Sequence, residues 1–268
     1  MIKKRIAIYG KGGIGKSTFS ANLAVLLAQK GYKVGIIGCD PKQDTVRLIT
    51  GGYISSILEK YEQIIEKECD INECVIKGRY DILCAEVGGP KPGVGCAGRG
   101  LIMALGLLSQ KKLLDELDVV IYDVLGDVVC GGFATPISKG YANEIYIVSS
   151  GEQASLYAAN NITKGMNENK KVVKGLILNS AGFDNEKEIV EKFTQRINVP
   201  LISVIPHDKM IPLNELKGLT AIDHGCSKDT YDAYVQASEY ILQEHDLNSN
   251  TPWDRKEFYE EMNSLYGY

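Results

Sequence analysis

The sequence predicts an α/β fold: one mostly parallel, doubly wound sheet forming a single domain over residues 1–268. Three observations predict it. Short apolar runs alternate with helix-period stretches along the whole chain, the pattern of repeated strand–helix–strand units. Runs such as Val119-Val120-Ile121-Tyr122 are apolar at every position, as strands covered on both faces require. A glycine-rich turn joins the first strand to the first helix. In sheets of this kind ligands bind beyond the carboxyl ends of the strands, so the loops that follow strands are the places to look for function.

Bulk properties narrow the function classes. The chain is 44% hydrophobic and 24% charged, an ordinary globular composition. A net charge of −4 argues against a protein that coats nucleic acid. No apolar run approaches the ~20 residues of a membrane span. Met1-Ile2-Lys3-Lys4-Arg5 leads straight into the first strand with no signal peptide pattern, so the expectation is a cytoplasmic protein without nucleic-acid or membrane partners. Seven cysteines, an odd number with no C-x-x-C spacing, argue against a disulfide framework and against a complete metal site within one chain.

The first predicted strand is 4–9 and the first helix 17–30. Between them, Gly10-Lys11-Gly12-Gly13-Ile14-Gly15-Lys16-Ser17 fits G-x-x-x-x-G-K-[ST] at every fixed position, followed by Thr18. Strand before and helix after are the context that makes this a phosphate-binding loop rather than a bare glycine turn. Its glycines let backbone N–H groups turn toward a polyphosphate, at a helix N-terminus that already favours anions. Lys16 would reach the β- and γ-phosphates and the Ser17 hydroxyl would hold Mg²⁺. Lys11 is a second lysine in the loop; its alternatives are a solvated side chain or a cation that serves the nucleotide of a partner chain across a dimer interface, as in the deviant P-loop ATPases that this loop resembles.

The second strand, 34–38, ends in Gly38-Cys39-Asp40-Pro41-Lys42-Gln43-Asp44. Asp40 or Asp44 could organise Mg²⁺ through water or orient an attacking water; the alternative is that both cap the turn and the next helix. Residues 51–79 read as polar and helical, with a helix near 54–67, and Cys69 and Cys74 as ordinary thiols. A strand at 80–84 precedes the stretch 88–100, where six glycines surround Cys96. Backbone N–H groups left open by small residues can hydrogen-bond the sulfurs of an iron–sulfur cluster; an ordinary loop with a buried thiol is the alternative. A helix near 98–112 leads to the strand 118–122 and then Asp123-Val124-Leu125-Gly126-Asp127-Val128-Val129-Cys130-Gly131-Gly132-Phe133. Asp123, an acid ending an apolar strand downstream of a P-loop, reads as the Mg²⁺ aspartate. Asp127 follows four residues on, and Cys130 precedes paired glycines as Cys96 is embedded among them. A phosphate sensor at one end and a cysteine at the other make this segment a mechanical link. The remaining elements are strands at 144–149, 173–178 and 201–205 and helices at 152–167, 185–196 and 227–245; the tail from Trp253 reads as mixed charge.

A cuboidal cluster wants four thiolates. Cys96 and Cys130 are the two in glycine-rich loops, and two per chain become four across a two-fold dimer.

At these residues the chain resembles the nitrogenase iron protein family, the ATP-dependent reductase component, including its nitrogenase-like reductase members. The matching stretches are GKGGIGKST at 10–18, GCDPKQD at 38–44, GGPKPGVGCAGRG at 88–100, DVLGDVVCGGF at 123–133 and SGEQASLYAANNI at 150–162. The resemblance covers about the whole chain. It implies a homodimer holding one [4Fe–4S] cluster through Cys96 and Cys130 of both chains, with Mg-ATP at each P-loop. It implies that Lys11 acts near the nucleotide, that Asp127 positions the hydrolytic water, and that Asp40 and Asp44 belong to one switch and residues 123–130 to another. Asn179 matches the adenine-contacting asparagine, Pro206 and Asp208 the base-binding loop, and Arg99 the arginine that some members have ADP-ribosylated. The implied electron donor is a ferredoxin or flavodoxin and the acceptor a nitrogenase or nitrogenase-like catalytic component.

The chain departs from the family pattern at Lys91, Gln43, Val46 and His207, and in Ile137-Ser138-Lys139-Gly140-Tyr141, where members that dock on dinitrogenase carry arginine and lysine. A nitrogenase, a tetrapyrrole reductase and a sulfur-compound reductase are the open acceptors. Two other classes share the P-loop: partitioning or positioning ATPases and iron–sulfur scaffold ATPases. The acid-containing tail suits neither a membrane nor DNA, and a scaffold's C-terminal C-x-x-C is absent, with Cys226 standing alone.

Overall fold

The computed structural model describes residues 3–89, 97–126, 135–247 and 249–266, with Ala97 and Thr135 described by backbone alone. Its elements, in chain order, are β1 (Lys4–Tyr9), α1 (Lys16–Gln29), β2 (Val34–Gly38), α2 (Arg47–Thr50), α3 (Tyr61–Ile65), β3 (Val75–Lys77), β4 (Leu83–Glu86), α4 (Ala97–Gln110), β5 (Val119–Asp123), α5 (Thr135–Ser138), β6 (Glu144–Ser149), α6 (Gln153–Glu168), β7 (Val173–Asn179), α7 (Glu186–Arg196), β8 (Leu201–Ile205), α8 (Met210–Leu216), α9 (Ala221–His224), α10 (Lys228–Leu242) and α11 (Arg255–Tyr266).

The strands form one sheet in the order β3-β4-β2-β5-β1-β6-β7-β8. Every described pairing is parallel except that of β3 with β4. The apolar runs account for this: β2 and β5 are buried at all five positions and β6 at all six. Successive side chains in a strand point to opposite faces, and β1 shows the consequence. Ala7 and Tyr9 enter one core, with Leu101 and Leu105 of α4, Leu156 of α6, Phe193 of α7 and Phe258 of α11. Ile6 and Ile8 enter the other, with Phe19, Leu23 and Leu26 of α1 and Tyr234 and Ile241 of α10. The expected doubly wound architecture is therefore present. α1 is buried on nearly all sides, from Phe19 to Leu27, which is why its hydrophobic residues show no single stripe.

Four expectations are corrected. The helix expected near 54–67 is the five-residue α3, and residues 51–79 also hold the edge strand β3. β3 returns antiparallel because the turn from Gly78, whose N–H donates to Ile82 O at 2.8 Å, is too short for a crossover. The strand expected at 80–84 starts only at Leu83: Tyr80 and Asp81 have φ of 55° and 56°, in the left-handed region no strand uses. The helix expected at 227–245 is α10, which starts where the Ser227 side chain accepts from Thr230 N but ends earlier, at Leu242, and the short helices α8 and α9 precede it. The tail is a helix, α11. Its buried residues Phe258 and Met262 are four apart and share one face. Asn250 pins the approach to it, accepting from Val173 N at 2.8 Å and donating to Asn198 O at 2.9 Å. Among the described residues no helix is long and apolar enough to cross a membrane.

Candidate nucleotide site

The parallel register brings the carboxyl ends of β1, β2, β4 and β5 side by side: Ile8 lies beside Asp123, Gly38 beside both Asp123 and Glu86. The glycine loop leaves β1 at this edge and runs into α1. Gly12 and Gly13 are exposed and Lys11 and Ile14 half-buried, while Lys16 is buried at the loop's inner end. Lys16 Nζ sits 2.6 Å from Asp123 Oδ1, with the Asp123 side chain fully buried. Asp123 Oδ2 accepts from the Thr45 hydroxyl at 2.7 Å. One carboxylate thus ties the loop lysine to the segment that carries Asp40 and Asp44.

The acids differ. Asp40 is buried, and its Oδ1 accepts from Lys42 N at 2.9 Å, the turn-capping use of an aspartate. Asp44 is exposed. Gly126, three residues beyond Asp123, lies against the glycine loop: a Cβ there would sit 1.9 Å from Gly10 O and 2.9 Å from Gly12 N. Only a glycine lets the two backbones approach this closely.

The loops after β7 and β8 complete the rim. Asn179 Nδ2 donates to Ile14 O at 2.8 Å, so the asparagine steadies the glycine loop from the neighbouring strand end. Pro206 and Asp208 follow β8. Asp208 accepts from Met210 N and Ser227 N, both at 2.8 Å, and from the Thr230 hydroxyl. Burial alone would raise its carboxyl; these donors outweigh it and hold the group down at about 2. Its carboxylate therefore braces the loop from within. Ser17 and Thr18 are half-buried at the start of α1, and Thr18 donates to Glu215 of α8.

Three residues of this site carry no assignment from the sequence. Thr45 sits beside the noted Asp44 without a motif of its own. Glu215 lies far along the chain and has no local signal. Glu86 does have one: it is an acid ending an apolar strand, as Asp123 is. Burial pushes its carboxyl up to about 8, an effect opposed by the N–H groups of Val46 and Thr45 and reinforced by the charges of Asp123 and Asp44.

The donor set fits a magnesium nucleotide. A buried ammonium at the end of a glycine loop suits phosphate oxygens, and Ser17 and Asp123 are the hydroxyl and carboxylate that a P-loop magnesium takes. Cys96, Asp127 and Cys130 lie outside the described residues. Arg99 is exposed on the first turn of α4, three residues after Cys96. Cys39, Cys74 and Cys84 are buried; burial pushes Cys74 up to about 11 and Cys84 up to about 12, so both stay neutral thiols. Among the described residues no group of three His, Cys, Asp or Glu side chains is placed to hold a metal ion.

Comparison with known proteins agrees with this geometry. Solved structures with the same fold include the cell division ATPase MinD of Pyrococcus furiosus, with a TM-score of 0.68 at 23% identity over 88% of this chain and 98% of that one. The MinC:MinD complex of Aquifex aeolicus gives 0.70 at 18% over 92% and 99%. At those identities the likeness shows the P-loop ATPase fold. Among curated proteins, nitrogenase iron protein 2 of Methanobacterium ivanovii is 44% identical over 97% of this chain and 98% of its own length. The protein of the same name from Methanothermobacter thermautotrophicus is 44% identical over 96% of each. The model of the 4Fe-4S iron–sulfur cluster-binding proteins of the NifH/frxC type matches residues 4–266. With the P-loop geometry above and a match along almost its whole length, the chain belongs to the NifH/frxC family of 4Fe-4S cluster-binding proteins, whose cofactors are the cluster and Mg-ATP.

Proposed function

We propose that this protein is an ATP-dependent electron-transfer reductase. Two chains would share one [4Fe–4S] cluster through Cys96 and Cys130 of each, and each chain would bind Mg-ATP at its own P-loop. The cluster supplies one-electron chemistry when bound. Lys16 would turn from Asp123 to the β- and γ-phosphates, Asp123 and Ser17 would hold the magnesium, and Asp127 would orient the hydrolytic water. Lys11 would act across the dimer interface, near the partner chain's nucleotide, and Asp40 and Asp44 would answer to the γ-phosphate. Electrons arrive one at a time from a ferredoxin or flavodoxin and pass to a nitrogenase or nitrogenase-like catalytic component, in the cytoplasm. A single folded unit spanning residues 1–268 is part of this proposal.

The observation that carries the reading is Gly126 against Gly10. The chain that goes on to Asp127 and Cys130 leaves the sheet in backbone contact with the phosphate-binding loop. A change at the phosphates is thereby handed to the segment bearing a cluster ligand. A ligand shifts such an equilibrium only by binding one state better than the other.

The test is iron chelation by bathophenanthroline, on anaerobically purified protein. Mg-ATP is expected to speed chelation and Mg-ADP to speed it less; deleting Leu125 is expected to mimic the ATP state. Equal rates in all nucleotide states would refute the coupling. Protein with no iron after anaerobic purification would instead favour a partitioning ATPase, and rapid cluster transfer to apo-proteins a scaffold.

A further inference from the structure

Glu86 is fully buried at the end of β4, where the N–H groups of Val46 and Thr45 both face its carboxylate. Oε1 accepts from Val46 N at 2.9 Å. Oε2 is buried and has no hydrogen-bond partner among the described residues. Buried polar atoms without partners are rare and call for an explanation.

The sheet register supplies one. Glu86, Gly38 and Asp123 lie abreast on β4, β2 and β5. Side chains abreast in parallel strands share a face, so glycine in the middle leaves an open slot between two carboxylates. Thr45 and Glu86 fill it. A Cβ at Gly38 would lie 1.9 Å from Glu86 Oε2 and 2.8 Å from Thr45 Cβ. The unpaired oxygen and the carbon bearing the Thr45 hydroxyl are therefore separated by no more than the sum of those distances. On the other side of the slot, that hydroxyl donates to Asp123 Oδ2 at 2.7 Å. Thr45 thus borders the slot that holds the unpaired Glu86 Oε2, while its hydroxyl is given to Asp123 on the other side.

Building on the Mg-nucleotide reading above, we propose that Glu86 is a positioning residue: when Mg-nucleotide engages Asp123, the Thr45 hydroxyl exchanges Asp123 for Glu86 Oε2. The exchange would turn Thr45 about χ1 from one staggered position to another. A carboxylate accepts from a hydroxyl and a carboxylic acid donates to one, so both forms of Glu86 pair with Thr45. Val46, held by Glu86 Oε1, is the fixed pivot. The segment bearing Asp40 and Asp44 is then released from Asp123 and held from the β4 side. Glu86 touches neither nucleotide nor metal; it sets where Thr45 rests.

The test is a double-mutant cycle on the intact, cluster-loaded protein. Calorimetry measures the affinity for the non-hydrolysable β,γ-imido analogue of ATP, with Mg²⁺ and with Mg²⁺ chelated. The readout is the tightening that Mg²⁺ produces, from which any general loss of folding or of the Val46 bond cancels. Glu86→Leu is expected to cut that tightening about fivefold, the loss of one buried hydrogen bond. In a Thr45→Val background the same substitution is expected to change it by less than about twofold. Glu86→Gln, whose amide still pairs with a hydroxyl, is expected to preserve it. Three outcomes overturn the proposal: no effect of Glu86→Leu, an equal effect in both backgrounds, or a collapse of the tightening with Thr45→Val alone, which would put Thr45 on the metal. If the unaltered protein shows no Mg-dependent nucleotide binding, the functional reading fails, a result distinct from these.

Discussion

Lys16 Nζ and Asp123 Oδ1 form a buried ion pair 2.6 Å long, linking the phosphate-binding loop to the end of β5. Each charge is neutralised by the other, and each is a group that the proposed nucleotide and its metal would require. On the proposed reading, binding would exchange one set of ionic partners for another without newly burying either charge.

Breaking that pair from one side leaves a buried charge alone, at a cost of roughly 3–5 kcal/mol. Asp123→Asn and Lys16→Met are each expected to lower the stability of the nucleotide-free protein in urea unfolding. The double variant is expected to lose less than the sum of the two. All three are expected to lose Mg-ATP binding. Strict additivity in the unfolding free energies would show that the pair does not form in solution.

Gly126→Ala is expected to abolish nucleotide binding, because its Cβ would meet Gly10 O at 1.9 Å and force the glycine loop out of shape. Gly52→Ala is the control: no atom lies within 4 Å of its Cβ. Fluorescent-nucleotide titration compares the two. Normal binding by the Gly126 variant would mean that the two backbones do not touch.

Cys96→Ser and Cys130→Ser are each expected to remove the cluster, since either substitution deletes two of four proposed ligands in the dimer. Cys69→Ser and Cys74→Ser are expected to leave the iron content unchanged. Colorimetric iron per dimer decides it, and full iron retention in the Cys130 variant would end the assignment.

Asp208 gives a pH signature. Its carboxyl is held at about 2, against an ordinary 3.8. A depressed carboxyl stabilises the fold above its unfolded value, and that contribution disappears as pH falls through the folded one. The stability gap between the natural protein and Asp208→Asn is therefore expected to be largest near neutrality and to shrink below about pH 4. Urea unfolding from pH 7 to pH 3 measures the gap; a gap constant across that range would contradict it.

Some of this was legible from local chemistry. The loop 10–17 reads as phosphate-binding because its glycines, its lysine and its flanking apolar strand are contiguous. Val119 to Tyr122 reads as a doubly covered strand because burial on both faces removes the alternation of polar residues. Asp123 announces itself as an acid at the end of such a run. Segments governed by backbone geometry were less legible: β4 begins late because Tyr80 and Asp81 take left-handed φ, which neither residue advertises. α11 was hidden because Phe258, Met262 and Leu265, which mark its core-facing side, are spread among acids and polar residues.

By itself, the sequence determined the alternation of strands and helices, the phosphate-binding loop and the two glycine-embedded cysteines, since each is written in consecutive residues. The tertiary structure decided what lies next to what. Strand order places β4 and β5 on either side of β2, so Glu86 and Asp123, 37 positions apart in the chain, face each other across Gly38. It likewise brings Asn179 to Ile14, Glu215 to Thr18 and Thr45 to Asp123. These pairings depend on sheet register and on a slot left by a missing side chain, properties of the packed sheet that no stretch of sequence contains.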